Sequence, residues 1–123
     1  MATLAALEVL AAFPAKRRIA VLGDMLELGA YTEDAHRGVG ERLAAVAELF
    51  FAVGERMKFA LDSAVHPGAG SIRRLTEHQV KWFSSSAEAG RELDAILKPG
   101  DVVLVKGSQS MRMELAVLEI MAE

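Results

Sequence analysis

Short apolar runs alternate along this chain with stretches of helical period, and each run ends in glycine, serine or lysine-glycine. Arg17–Leu22 leads into Gly23-Asp24, Leu49–Val53 into Gly54, Val80–Phe83 into Ser84-Ser85-Ser86, and Val102–Val105 into Lys106-Gly107. Apolar runs this short, bounded by turn residues, are strands. A strand reaches a parallel neighbour only through a crossover, usually a helix, and such crossovers are right-handed. The pattern therefore predicts an α/β fold: a three-layer, Rossmann-like domain with a mainly parallel sheet and helices on both faces. Val102–Val105, continuous and β-branched, is expected to be a parallel strand covered on both faces.

Met1–Phe13 carries leucines at 4, 7 and 10 among alanines, which suits a buried or amphipathic helix that Pro14 stops. Thr32 is the candidate N-cap of the next helix, whose apolar residues at 35, 39, 43, 46 and 47 keep their period to about Glu48. Gly38 and Gly40 fall inside that pattern, where close helix packing explains small residues. Glu55–Val65 is expected to be helical, and His66–Ser71 is a loop rich in breakers. One of Ser84, Ser85 and Ser86 is expected to cap a helix from Ala87 to Leu97, and a last helix is expected from about Met111 to Met121. The order αβαβαβαβα contains no repeat and no linker. It begins in a helix where such domains usually begin with a strand, so the chain is expected to be truncated at its N-terminal strand.

The 123 residues fit one domain, and 52% hydrophobic with 25% charged residues implies a folded core. A net charge of −3 leaves no basic stripe to neutralise a row of phosphates, so nucleic acid is not an expected partner. The clusters Lys16-Arg17-Arg18 and Arg73-Arg74 are read as solvated edges. With no cysteine there is no disulfide, thiolate metal site or cysteine nucleophile. Residues 2–13 lack the basic n-region of a signal peptide, and no run reaches the roughly 20 apolar residues of a membrane span, so a soluble, cytoplasmic protein without membrane insertion is expected.

Ligands of open parallel sheets bind outside the carboxyl ends of the strands. Here that rim comprises Gly23–Gly29, Gly54-Glu55, Ser84–Ser86 and Lys106–Arg112. Asp24 and Glu27 suit recognition of an ammonium group or a ribose hydroxyl; equally, Asp24 suits a turn cap and Glu27 a solvated carboxylate. Lys106-Gly107-Ser108 precedes the last predicted helix, where a lysine and backbone N–H groups hold an anion. The Gly-x-x-x-x-Gly-Lys-Ser/Thr and Gly-x-Gly-x-x-Gly patterns are both absent. His36 lies near the Asp24 loop, as a packing or capping residue or a ligand contact. The three histidines lack metal-ligand spacing, and no base and orienting acid accompany Ser108 or Ser110, so no catalytic residue and no metal ligand is assigned.

Val21-Leu-Gly-Asp-Met-Leu-Glu-Leu-Gly29, His36 seven residues on, Lys98-Pro-Gly-Asp-Val-Val-Leu-Val-Lys-Gly-Ser108 and Met111-Arg-Met-Glu114 together resemble the C-terminal domain of the Mur ligases of bacterial peptidoglycan synthesis. The likeness spans residues 1–123, and the Gly23–Gly29 loop resembles the member that adds D-alanyl-D-alanine to UDP-N-acetylmuramoyl-tripeptide. It implies a three-domain, ATP-dependent amide-forming ligase whose N-terminal and central ATPase domains are absent from this chain. ATP and Mg2+ would be held mainly by the central domain, with none bound to this fragment, which alone would be inactive. The resemblance further implies that the domain closes over the site, with Asp24, Glu27 and His36 toward the incoming amine. Lys106, Ser108 and Arg112 would lie near phosphate or carboxylate. Gln109 stands where the family commonly has arginine, which removes a fixed charge and a bidentate carboxylate partner. The alternative is a stand-alone α/β module that binds a small anionic ligand or nucleotide. Oligomeric state is not legible in the sequence.

Overall fold

The computed structural model describes residues 2–25, 31–71 and 73–107. In chain order these form α1 (Thr3–Ala12), β1 (Arg17–Gly23), α2 (Thr32–Val46), β2 (Leu49–Val53), α3 (Met57–Val65), a 3-10 turn (Glu77–Gln79), β3 (Val80–Phe83), α4 (Ser86–Ile96) and β4 (Asp101–Lys106). The helix expected over Met111–Met121 lies outside the described residues.

The strands form a parallel sheet in the order β3-β2-β1-β4. Alternate side chains of a strand point to opposite faces, and two apolar clusters follow from that. Ala20, Leu22, Phe50 and Ala52 pack with Leu7, Leu10, Leu43 and Met57 of α1, α2 and α3. Their neighbours Ile19, Val21, Phe51 and Val53 pack with Phe83 and with Ala89 and Leu93 of α4. The result is the expected α/β/α sandwich.

β4 pairs only with β1 among the described strands, at an edge of the described sheet, and is half-buried at each position. Both of its faces are nevertheless packed as expected: Val102 and Leu104 lie against the cluster of α1, α2 and α3, and Val103 and Val105 against that of α4. An apolar run signals potential for burial, whereas strand order is decided by which crossover returns where. The buried strand is β1, with Ile19, Ala20, Val21 and Leu22 all inaccessible to solvent.

Two expectations are corrected, at Lys16-Arg17-Arg18 and at Thr32. The cluster at Lys16-Arg17-Arg18 is more than a solvated edge. Arg17 makes a bidentate pair with Asp101 (3.0 and 2.6 Å) and donates to the Ile96 carbonyl. Arg18 donates to the Leu10 and Phe13 carbonyls at the C-terminus of α1, where orphan acceptors and the helix dipole favour a cation.

Thr32 is not an N-cap. Tyr31 holds that position with no side-chain cap bond; Thr32 is the first helical residue, and its carbonyl pairs with the His36 ring. At α4 the cap is Ser85, whose hydroxyl accepts from the Glu88 N–H. The Ser84 and Ser85 hydroxyls also donate to the Glu88 carboxylate and hold its pKa below the ordinary value. Ser85→Ala is expected to cost about 1 kcal/mol, read as a lower midpoint in urea.

Candidate functional site at the strand-order reversal

The sheet grows outward from β1 through β2 to β3, then α4 carries the chain back across the opposite face to β4, on the other side of β1. The order therefore reverses between β1 and β4. The crevice outside the carboxyl ends of strands at such a reversal is where open α/β sheets bind ligands. Here those ends are Gly23-Asp24-Met25 and Lys106-Gly107. The register places Lys106 opposite Leu22, one residue before Gly23. On the other side Gly23 lies opposite Val53, and Val53 opposite Phe83, so the four strand ends form one rim.

Asp24 is 5% exposed, and its Oδ1 accepts from the Met57 N–H at 2.8 Å. Met57 opens α3, whose own N-cap residue, Arg56, provides no side-chain cap. The carboxylate thus caps a helix 33 residues further along the chain and meets the positive end of its dipole. One consequence is electrostatic: the start of α3 already has its anion, so it is not an anion site.

His36 has no solvent exposure. The Met25 N–H donates to Nε2 at 3.1 Å, and Nδ1 lies 2.7 Å from the Thr32 carbonyl. An amide N–H requires an acceptor and a carbonyl requires a donor. Nε2 is therefore the ring's acceptor and Nδ1 its donor.

Lys106 is half-buried and takes part in none of the ion pairs between described residues. It is the cation that the rim offers beside β1. Glu27, Ser108, Gln109 and Arg112 lie outside the described residues. Among the described residues no group of three or more His, Asp or Glu is placed to hold a metal ion, and no helix is long and apolar enough to cross a membrane.

Further along the rim, Gly54 turns with a φ of 101°, a conformation that favours glycine. Its carbonyl accepts from the Trp82 indole at 2.7 Å, and the Lys58 ammonium stands 4.4 Å from the centre of that ring. This cluster, like the Asp24–Met57 contact, joins residues far apart in sequence, and no local motif signals either. The other histidines are away from the crevice: His66 is the C-cap of α3 and His78 lies in the 3-10 turn, both exposed.

The family described as "Mur ligase, glutamate ligase domain" matches residues 1–109. The UDP-N-acetylmuramoyl-tripeptide–D-alanyl-D-alanine ligase of Synechocystis sp. is 34% identical over 122 residues, covering 98% of this chain and 25% of that protein. The ligase of the same name from Treponema pallidum is 35% identical over 111 residues, covering 89% and 23%. Among solved structures, MurF from Acinetobacter baumannii superposes with a TM-score of 0.76 at 29% identity, over 98% of this chain and 25% of that one. MurF ligase from Thermotoga maritima, in complex with ADP, shares the fold with the same TM-score at 23% identity, over 98% and 25%. The chain thus spans about a quarter of the length of the relatives it matches.

Proposed function

Because this chain belongs to the Mur ligase family, as its C-terminal domain, we propose that it closes over the active site of an ATP-dependent ligase joining D-alanyl-D-alanine to UDP-N-acetylmuramoyl-tripeptide. The observation that carries this reading is the meeting of two motif segments at one crevice. Gly23-Asp24-Met25 and Lys106-Gly107 are about 80 residues apart in sequence, yet the β1–β4 register brings them side by side at the strand-order reversal.

In such a ligase, ATP converts the tripeptide carboxylate to an acyl phosphate, which the dipeptide amine attacks, forming the amide and releasing phosphate. This domain supplies one wall of that site. Lys106 sits on the phosphate side, a point charge for the nucleotide or the acyl phosphate. Ser108 and Arg112 follow it in the sequence and are assigned to phosphate or dipeptide carboxylate; Glu27 is assigned to the incoming amine. ATP and Mg2+ are assigned mainly to the remainder of the ligase, since this chain has no P-loop. Closure of the domain excludes water from an acyl phosphate that water would destroy. A cytoplasmic location follows from nucleotide-linked substrates.

The test is an exchange. The matched quarter of the Synechocystis ligase is replaced by this chain, and ADP release is measured with both substrates. The hybrid is expected to ligate, this chain alone to be inactive, and Lys106→Ala in the hybrid to lower kcat/KM by roughly 10–100-fold, the worth of a charged hydrogen bond. A folded hybrid without ligation, or tight ATP binding by this chain alone, would overturn the reading in favour of a self-sufficient anion-binding module.

A further inference from the structure

Asp24 and His36 are the buried polar side chains at the β1 end of the crevice. Both turn hydrogen-bonding atoms inward: the Asp24 carboxylate to the first N–H of α3, and the His36 ring nitrogens to the Met25 N–H and the Thr32 carbonyl. We propose that Asp24 and His36 are positioning residues that clamp the strand end Gly23–Met25 between α2 and α3, and that neither contacts substrate. The inference rests on the reading above, in which this strand end is part of the ligase rim, and gives these two residues their place in it.

Consecutive residues, 24 and 25, are tied to different helices: Asp24 through its side chain to α3, Met25 through its backbone to α2. A shift of the strand end relative to either helix leaves a buried donor or acceptor unpaired, and such a loss costs more than a hydrogen bond adds. The His36 ring is also committed to one tautomer, because both of its partners are main-chain groups of fixed polarity. A residue that recognises an ammonium group needs a carboxylate oxygen turned toward it; here Oδ1 serves a backbone N–H, and the side chain is almost wholly covered. The role is to place the rim at the distance the closed site requires, so its loss is expected to appear in the rate of the assembled site rather than in dipeptide affinity.

The pair Asp24→Asn and Asp24→Ala in the active hybrid separates the two roles. Asparagine keeps an oxygen for the Met57 N–H but has no charge for an ammonium group. Asp24→Asn is therefore expected to keep the dipeptide KM within about threefold, whereas Asp24→Ala lowers kcat roughly tenfold or more at similar KM. In this chain, a long-range proton–nitrogen spectrum is expected to show His36 protonated on Nδ1 and bare on Nε2, and the Met57 amide is expected to be slow to exchange. A rise of about tenfold in dipeptide KM for Asp24→Asn, with the Met57 amide still protected, would establish a direct ionic contact and overturn the proposal. So would a proton on Nε2. Should Asp24→Ala not fold, the Asp24→Asn kinetics and the His36 spectrum still decide. An inactive parent hybrid counts against the ligase reading, while the spectrum and amide exchange test the clamp separately.

Discussion

Gly40→Ala is expected to destabilise this domain by about 3 kcal/mol, whereas Gly38→Ala, two residues away on the same helix, is expected to stabilise it by roughly 0.5–1 kcal/mol. The two glycines differ in what stands opposite them. A methyl group on Gly40 would overlap the Ala60 carbonyl oxygen and the Ser63 hydroxyl, where α2 and α3 lie in close contact, while nothing stands near Gly38, which is exposed. The obstruction at Gly40 includes backbone, so relief requires the helices to move apart. Separation also strains the Ser63 hydroxyl, which donates to the Arg37 carbonyl at 2.7 Å and so joins α3 to α2. For a domain of this size the loss corresponds to a fall of roughly 10 °C or more in melting temperature. Thermal melts of the two variants check the prediction, and equal shifts for both would show that the helices are not in contact at Gly40. The gain at Gly38 comes from the unfolded chain, in which alanine has fewer conformations to lose than glycine.

A second large effect is expected at Asp101, and it depends on pH. The Arg17 guanidinium, bonded to both carboxylate oxygens, holds the Asp101 pKa below its ordinary value, and the Lys98 N–H adds to the shift. A depressed folded-state pKa means the carboxylate stabilises the fold above the unfolded pKa, near 3.9, and that this contribution is lost as pH falls through the folded value. Asp101→Asn is therefore expected to cost about 2 kcal/mol at neutral pH, and the gap between variant and parent should narrow below about pH 4. Urea titrations at pH 7 and pH 3 measure this directly; a gap that stays constant with pH would exclude the charge as its source. The exposed pairs Arg42–Glu8 and Lys81–Glu92, with side chains 42% or more exposed, should contribute far less.

Hydrophobic period made the alternation of strands and helices readable, because period 2 and period 3.6 are properties of neighbouring residues. It also located the rim, since Gly23 and Lys106 end apolar runs. Strand order is a different kind of information. Nothing within Val102–Val105 records that its described partner is β1 alone: its apolar character pointed to the packing on both faces but not to a place at an edge of the described sheet. The partners of the site residues were equally hidden: Asp24 bonds across 33 residues and His36 across 11. Two roles were left open for Asp24 because a carboxylate after a strand looks the same whether it faces a ligand or caps a distant helix. Arg17 and Arg18 appeared solvated because a basic cluster in sequence does not reveal the Asp101 carboxylate and α1 carbonyls waiting for it.

The return of β4 to the side of β1 also sets an order of assembly. Pairing β1 with β2 joins residues 30 apart, as in Ile19 with Leu49, while pairing β1 with β4 joins residues 84 apart, as in Ile19 with Val103. Closing the longer loop costs only about 1 kcal/mol more in chain entropy, but such non-local contacts are slow to form. The β1–β2–β3 ribbon, with α2 and α3 across it, can therefore assemble first and present a finished strand end at Gly23. Lys106 reaches that strand end only when β4 docks. The crevice at the strand-order reversal is then a late product of folding, and its two walls belong to different stages of it.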